Sequence, residues 1–287
     1  MDLRTITREE FPASLREIPQ PPERLWLRGS MPPPETKLLA VVGSRALTRY
    51  GREACEYLIE GLGGYPISIV SGLALGADAC AHRSALANGL HTIAIPGSGL
   101  GDDVLYPRTN RDLAQKILDT GGALLSEHAP DHQARQYDFP SRNRIMVGLS
   151  QAVLMIESGE KSGTLITARL AADYNRDLLC VPHPIKGIHS AGSHQFLRLG
   201  ATLVSEPAHI LEALGITLPE TPEDTAQRPL LLLSDAERIL YELLTEPRSR
   251  DALLRCANMP AHEALSALGS LELQGFISER FGVWHRA

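Results

Sequence analysis

Short apolar runs alternate with amphipathic stretches through most of the chain. The runs are apolar throughout, as in strands covered on both faces, and lie at 38–42, 67–70, 92–96, 123–126, 152–156, 178–182 and 202–205. The stretches between them have the apolar spacing of helices, and lie at 50–62, 76–88, 109–119, 140–149, 164–175, 192–199 and 207–214. This alternation predicts an α/β fold with a doubly wound, mostly parallel sheet.

The flanking segments divide the chain further. Residues 1–37 are rich in proline and lack periodicity, so we expect an arm that packs on the core, with Leu25, Trp26 and Leu27 as anchors. The main domain is expected at 38–218, followed by a linker at 219–230 that is rich in Pro, Thr and acidic residues.

A small second domain is predicted at 231–287. Its first helix begins with Ser234 and has Glu237 three residues later, the pattern of a capping box. Two more short helical patterns follow, and then a hairpin that turns at Phe281 and Gly282. Three helices followed by a hairpin are typical of a winged helix.

Bulk composition narrows the class of protein. The chain has 287 residues and a net charge of −6, so any basic surface has to be local. It contains neither a long apolar run nor the apolar segment of a signal peptide, which indicates a cytoplasmic protein without a membrane partner. The four cysteines suit neither a disulfide framework nor a zinc site, and we expect reduced core thiols.

Candidate chemistry lies where the strands end, because open α/β sheets bind ligands at the carboxyl ends of their strands. Glycine or serine follows four strands, immediately before a helix, where backbone N–H groups and the helix dipole favour phosphate. The candidate phosphate-binding residues are Gly43, Ser44, Arg45, Ser71, Gly72, Lys161, Ser162, Gly163 and Thr164, with a further turn at 96–99.

A second candidate surface begins at Phe139. Arg142, Asn143 and Arg144 follow this aromatic residue at the start of a helical pattern, and Arg135 precedes it. The arginines are either an ordinary solvated helix start or a basic rim for a phosphate backbone, beside which Phe139 can stack on a base.

Other chemistry finds less support. Neither a G-x-G-x-x-G fingerprint nor a Walker lysine motif is present, so no NAD, ATP or other cofactor is expected. Histidines gather in two regions, at His183, His189 and His194 and at His128 and His132. The spacings of 6 and 5 residues in the first group match no common metal-ligand pattern, and we expect no metal site. No catalytic constellation stands out, which favours a protein that is not an enzyme. Glu157, which follows a strand, is expected to orient Arg45 by a salt bridge rather than to act as a general acid or base.

Five ordered segments carry a resemblance to a known family. AVVGSRALTRYG, SGLALGADACAHRSAL, PGSGLGDDVLYPRTNRDLA, FPSRNRIMVGLSQAVLMIES and SGTLITARLAADYNRDLLCVP resemble the DprA/Smf (DNA-processing protein A) family in order and spacing. The resemblance implies an extended Rossmann-like domain with a winged-helix appendage and a basic pocket for single-stranded DNA.

The resemblance also implies a role. It implies a homodimer that protects single strands during natural transformation and helps to load the RecA recombinase. It implies that Arg45 is the leading phosphate ligand, that Arg142, Asn143 and Arg144 form a second wall, and that Phe139 stacks on a base.

Two alternatives on the same fold stay open. One is a nucleotide sensor that signals through the winged helix, and the other is a nucleotide N-glycosidase or phosphoribohydrolase that uses Glu127 or Glu157. The presumed recognition helix carries Glu263 and Glu272 where a DNA-reading helix presents basic or amide side chains, so we expect a protein contact or an accessory role for it.

Overall fold

The structure is a computed structural model that describes residues 3–159, 162–216, 233–244, 246–257, 259–273, 276–280 and 282–286. The predicted linker, Lys161 and Phe281 of the predicted hairpin turn lie outside these residues. Contacts divide the chain into two compact units, Met1–Thr217 and Leu218–Ala287. Each unit has its own hydrophobic core.

Among the described residues, the first unit forms a sheet of nine strands in the order β1-β2-β6-β5-β4-β3-β7-β8-β9. The strands are β1 (Arg4–Thr7), β2 (Arg24–Gly29), β3 (Lys37–Val42), β4 (Ile67–Ser71), β5 (His91–Ala94), β6 (Ala123–Ser126), β7 (Ala152–Met155), β8 (Asp177–Cys180) and β9 (Thr202–Leu203). All pairings from β3 to β9 are parallel. The predicted doubly wound, mostly parallel sheet is confirmed.

Helices cover both faces of this sheet. They are α1 (Ala13–Arg16), α2 (Arg49–Glu60), α3 (Ala77–Ala87), α4 (Arg111–Asp119), α5 (Asp138–Leu149), α6 (Thr164–Asp173), α7 (Ala191–Arg198) and α8 (Pro207–Ala213). Among the described residues, no helix combines the length and the apolar character needed to cross a membrane.

The distribution of the helices follows from the alternation of side chains along the strands. Leu39 and Val41 of β3 face the cluster that α2, α3 and α8 complete, whereas Ala40 and Val42 face the cluster that α1 and α5 complete. α4 joins the first face and α6 and α7 join the second. Both faces of the strands are therefore shielded from solvent by helices, which accounts for their uninterrupted apolar sequence.

The proline-rich N-terminal residues extend the sheet. β2 pairs antiparallel with β6, and β1 pairs antiparallel with β2. Leu25 and Leu27 are fully buried on one face, while Trp26 packs against the cluster on the other. The sequence indicated an arm lying on the core, and the structure builds these residues into the edge of the core itself.

The second unit contains α9 (Asp235–Leu243), β10 (Arg248–Ser249), α10 (Arg250–Cys256), α11 (Ala261–Leu273), β11 (Ile277–Arg280) and β12 (Val283–Arg286). Its strands form a sheet in the order β10-β12-β11. At α9 the Ser234 N–H donates to Glu237 Oε2 at 2.8 Å, and the Glu237 N–H donates to Ser234 Oγ at 3.3 Å. The predicted winged helix and its capping box are confirmed.

The cysteines divide into two groups. Cys55, Cys80 and Cys180 are buried, as expected. Cys256, at the end of α10, is exposed, so the expectation of a core thiol was wrong there. It is not part of the apolar cluster of the second unit.

Candidate functional site

The candidate site lies where the strand order of the sheet reverses. The chain leaves β3 through α2 toward β4, but it reaches the opposite neighbour of β3, strand β7, through α5. At such a switch point the loops that leave adjacent strands diverge and open a crevice at the carboxyl edge. An open pocket of about 870 Å³ occupies this position.

Nine of the predicted site residues line this pocket. They come from the turn after β3, from the start of α5 and from the loop before α6, and they are Gly43, Ser44, Arg45, Phe139, Arg142, Asn143, Ser162, Gly163 and Thr164. The sheet topology therefore brings together segments that are up to about 120 residues apart in sequence.

Arg142 is the central cation of the pocket. Its side chain is only 6 % exposed, and its Nε has no hydrogen-bond partner among the described residues. The nearest carboxylate oxygen, Asp78 Oδ2, is 3.9 Å from Nη1 and already accepts the Gly72 and Ala74 N–H groups. Burial lowers the pKa of Arg142 and raises that of Asp78. The guanidinium is thus desolvated and only weakly neutralised, which favours an anion beside it.

Gly72 provides the space for this guanidinium. A Cβ at residue 72 would overlap the Arg142 guanidinium, so a side chain there would displace it. Ser71 is buried, and its hydroxyl donates to the Val41 carbonyl oxygen at 2.7 Å. Ser71 and Gly72 are therefore not lining residues of the pocket. Gly72 leaves room for a residue that does line it.

Arg45 and Phe139 form the aromatic side of the pocket. The Arg45 guanidinium lies over the Phe139 ring, 5.0 Å from its centroid, in cation–π geometry. Tyr106 lies on a second side of the ring, with the two centroids 5.7 Å apart. Gly97 backs the ring, because a Cβ there would lie 2.8 Å from it. The turn at 96–99, which was predicted to bind phosphate, contributes none of the residues that line the pocket.

The loop before α6 places hydroxyl groups at a helix N-terminus. The Thr164 N–H donates to Ser162 Oγ at 3.2 Å, and Ser162 Oγ donates to Thr164 Oγ1 at 2.9 Å. Gly163 has open space where a side chain would be. Because a helix N-terminus carries partial positive charge, this loop adds a second element suited to an anion.

Two of the predicted residues that the structure describes lie elsewhere. Arg144 pairs with Glu127 and donates to the Gln20 carbonyl oxygen at 2.8 Å, away from the pocket lining. Arg135 is exposed and donates to Tyr137 Oη at 2.9 Å. Lys161 lies outside the described residues.

Glu157 has a different partner from the one we expected. It is fully buried, and its Oε1 accepts the Thr48 N–H at 2.9 Å while its Oε2 accepts the Thr48 hydroxyl at 2.7 Å. The prediction of a salt bridge to Arg45 was wrong, because Thr48 occupies both carboxylate oxygens. Since Thr48 Oγ1 accepts the Gly51 N–H at the start of α2, Glu157 fixes that helix N-terminus.

Sequence reasoning missed part of the lining. Tyr106, Asp78, Gln136, Thr167 and His189 also face the pocket. Asp78 had a recognisable signal, an acidic residue in the first turn of a helix that follows a glycine turn. Tyr106 had none, because its loop reaches Phe139 only through the tertiary fold.

Comparison with known proteins places this architecture in a family. The sequence model of the DNA recombination-mediator protein A family matches residues 2–215. The chain belongs to this family. A model of the DprA winged helix domain also matches residues 218–282, in agreement with the fold of the second unit. The resemblance that the five sequence segments carried is confirmed.

Individual relatives agree with this assignment. The chain is 38 % identical to Protein Smf of Escherichia coli, over 94 % of this chain and 73 % of that protein. It is 39 % identical to DNA processing protein DprA of Streptococcus pneumoniae, over 70 % of each.

Solved structures of two relatives share the fold. DNA processing protein A from Streptococcus pneumoniae superposes with a TM-score of 0.69 at 37 % identity, over 73 % of this chain and 74 % of that one. The Helicobacter pylori protein, whose structure concerns its single-stranded DNA binding mode, has a TM-score of 0.65 at 29 % identity, over 74 % of this chain and 95 % of that one.

Proposed function

We propose that this protein binds single-stranded DNA in the pocket between β3 and β7, as a DNA-processing protein of its family. Arg45 and Arg142 contact a phosphate from two sides, and the turn at Gly43 and Ser44 contributes backbone N–H groups. The loop from Ser162 to Thr164 contacts the adjoining phosphate, while Asn143 contributes an amide. The Helicobacter pylori relative, whose structure concerns its single-stranded DNA binding mode, supports single-stranded DNA as the ligand.

The observation that carries the proposal is the environment of Arg142. A guanidinium keeps its charge in proteins, so a buried one requires hydrogen-bond acceptors. The described residues leave its Nε without one, and its only nearby carboxylate is shared with two backbone amides. Arg45 lies near enough to lower the pKa of Arg142 further by repulsion. A phosphate between the two arginines relieves this repulsion and supplies the missing acceptors.

The aromatic side of the pocket indicates a polymer of nucleotides and not a bare phosphate. Phe139 and the half-exposed Tyr106 offer ring surfaces on which bases can stack. Stacking accepts every base, and phosphate contacts carry no sequence information. We therefore expect binding that depends on salt but discriminates little between sequences.

The test is fluorescence anisotropy of a labelled oligo-dT of about 35 nucleotides, longer than the ~4–16 nucleotides of common single-strand sites. Arg45→Ala should weaken binding about 10-fold, the effect of losing roughly 1.4 kcal/mol of phosphate contact. Arg198→Ala is the matched control, since this exposed residue ends α7 and lies at the amino edge of the sheet. Wild-type affinity in a folded Arg45→Ala protein would contradict the proposed site.

Competition experiments distinguish single-strand binding from the two alternative functions, a nucleotide sensor and a nucleotide N-glycosidase. Duplex DNA should compete poorly, and a mononucleotide should compete only at far higher concentration than the oligomer. Efficient competition by the mononucleotide would instead indicate the nucleotide sensor, and release of a free base from it would indicate the glycosidase.

We extend the proposal to the family's role in recombination. Membership of a recombination-mediator family supports a homodimer that protects single strands during natural transformation and helps to load RecA. Light scattering after size-exclusion chromatography should give twice the mass of 31.2 kDa. Adding the protein should shorten the lag before RecA hydrolyses ATP on oligo-dT, and an unchanged lag would remove the RecA part of the proposal.

A further inference from the structure

A cluster of metal-ligating side chains lies on the segment between β6 and α5. His128 Nε2 is 3.7 Å from Asp138 Oδ1, and His132 Nε2 is 2.8 Å from Asp138 Oδ2. The two imidazole rings are stacked, with centroids 4.2 Å apart and planes inclined by 17°. One ligand atom from each of the three residues lies within 4.8 Å of the other two.

The cluster contains an acceptor with no hydrogen-bond partner. The side chain of Asp138 is 1 % exposed, and its Oδ1 makes no hydrogen bond among the described residues. Its Oδ2, in contrast, accepts the Arg135 N–H at 2.7 Å as well as the His132 ring. A buried carboxylate oxygen that faces an imidazole nitrogen but receives no proton from it is a position where a cation fits.

We propose that His128, His132 and Asp138 bind one divalent transition-metal ion, with Zn²⁺ as the expected class. Two imidazoles and one carboxylate are borderline ligands that suit Zn²⁺ and its neighbours better than Mg²⁺ or Ca²⁺. In a tetrahedral Zn²⁺ site, ligands at about 2.0–2.1 Å from the metal lie about 3.3 Å from one another. The observed separations of 2.8 Å between His132 Nε2 and Asp138 Oδ2 and 3.7 Å between His128 Nε2 and Asp138 Oδ1 lie on either side of this value. Three protein ligands leave a fourth position for water or an anion.

The surroundings of the cluster hold these ligands in place. The Arg135 N–H orients the Asp138 carboxylate, and the Gly99 N–H donates to the His132 carbonyl oxygen at 2.9 Å. Such outer contacts fix ligand direction in metal sites. The sequence spacing of the two histidines gave no indication of this cluster, because the third ligand begins the next helix.

The position of the cluster links it to the pocket. Asp138 is the first residue of α5, and the next residue is Phe139, while Arg142 lies one turn further on. An ion at Asp138 would therefore fasten the loop to the start of the helix that carries the aromatic and cationic walls. The metal proposal does not rest on the proposed function, since it is tested without DNA.

The experiment uses the full chain after removal of metals with a chelator. Zn²⁺ titrated in a calorimeter should bind at one equivalent, and Co²⁺ should give the intense visible absorption of a four-coordinate site. His128→Asn and His132→Asn should each weaken Zn²⁺ binding about 10-fold or more, in line with losses seen around metal sites. His209→Asn is the control, because this partly exposed histidine of the first unit lies outside the cluster.

Two outcomes would overturn the proposal. One is wild-type protein that takes up no Zn²⁺ at a concentration of about 100 µM, which corresponds to binding weaker than about 5.5 kcal/mol. The other is binding that both histidine variants and the control retain equally. If circular dichroism shows that a variant does not fold, X-ray absorption at the Zn edge identifies the ligands of Zn²⁺ in the wild-type protein instead. Two imidazoles with oxygen ligands support the site, and a sulfur ligand or fewer imidazoles refutes it.

Discussion

At the scale of single residues, α3 and the Arg142 side chain beside it hold buried polar groups, two of which have a nitrogen without a hydrogen-bond partner among the described residues. His82 on α3 is fully buried, and its Nδ1 lies 2.7 Å from Thr92 Oγ1. Burial lowers the pKa of His82 to about 3, and the charges of Arg142 and Arg83 contribute in the same direction. The same desolvation acts on Arg142 and Asp78.

The neutral His82 predicts a pH dependence of stability. The unfolded state takes up a proton near pH 6.5, whereas the folded state resists protonation down to about pH 3. The free energy of unfolding should therefore fall with pH in this window, by up to about 1.4 kcal/mol per pH unit from this residue. In His82→Gln that contribution disappears, so the difference in stability between the two proteins should shrink as the pH falls from 6.5 to 4.5.

Urea unfolding followed by the fluorescence of Trp26, in a Trp284→Phe background, measures this difference for the first unit. His209→Gln serves as the control, since this histidine is partly exposed. A constant difference between wild type and His82→Gln across the window would show that His82 does not titrate as predicted.

Gly72 gives a second prediction at this scale. In Gly72→Ala the new methyl group displaces the Arg142 guanidinium. We expect a loss of stability of about 1–3 kcal/mol, typical of overpacking, together with weaker binding of oligo-dT. Urea unfolding and anisotropy measure the two effects. A variant that is as stable as the wild type and binds DNA equally well would show that Arg142 can occupy another position at no cost.

At the scale of elements, a glycine-to-alanine substitution on α11 should raise stability, whereas the same change at Gly72 lowers it. Gly269 lies inside this helix, and a Cβ there meets nothing within 4 Å. Gly269→Ala should stabilise the second unit by about 0.5–1 kcal/mol, because alanine loses less backbone entropy in a helix. Unfolding followed by Trp284 in a Trp26→Phe background reports on this unit. A decrease in stability would contradict the open space at Gly269, because it would mean that the added methyl group collides with a neighbouring atom.

The elements also show what the sequence can predict. β3 was predicted at 38–42 and observed at Lys37–Val42, because a strand buried on both faces has an unmistakable apolar run. β2 was not predicted as part of the sheet, because its pairing partner β6 lies about a hundred residues further along the chain. The hydrophobic pattern of residues 24–29 carries no information about a pairing strand so far away in the sequence.

The candidate site was predictable to a similar degree. The turns at Arg45 and Ser162 followed from strand ends alone, which the topology of the sheet then brought together. Arg142 and Arg144 were assigned to one wall, yet residues two apart on a helix point in different directions. The structure turns Arg142 into the pocket and Arg144 toward Glu127. The sequence alone does not show which of the two arginines faces the pocket, because that depends on how α5 is oriented against the sheet.

At the scale of the whole molecule, the pocket belongs to the first unit alone, since its lining runs from Val42 to His189. The described residues of α11 include no lysine or arginine. Removing residues 219–287 should therefore leave the affinity for oligo-dT within about 3-fold of the full chain, by anisotropy. A loss of about 100-fold, or roughly 2.7 kcal/mol, would show that the winged helix contributes directly to DNA binding.

The Arg45 guanidinium lies over the Phe139 ring, where a stacking base would also lie. A base can stack on this ring only after the guanidinium has left it, at a cost of about 0.5–1 kcal/mol of cation–π attraction. A phosphate next to the base gives the departing guanidinium a new partner, so in the proposed complex a nucleotide chain makes both exchanges at once. A free nucleobase or an aromatic metabolite offers no such partner. In the proposed complex, the position of this one arginine thus favours ligands that carry a ring and a phosphate together.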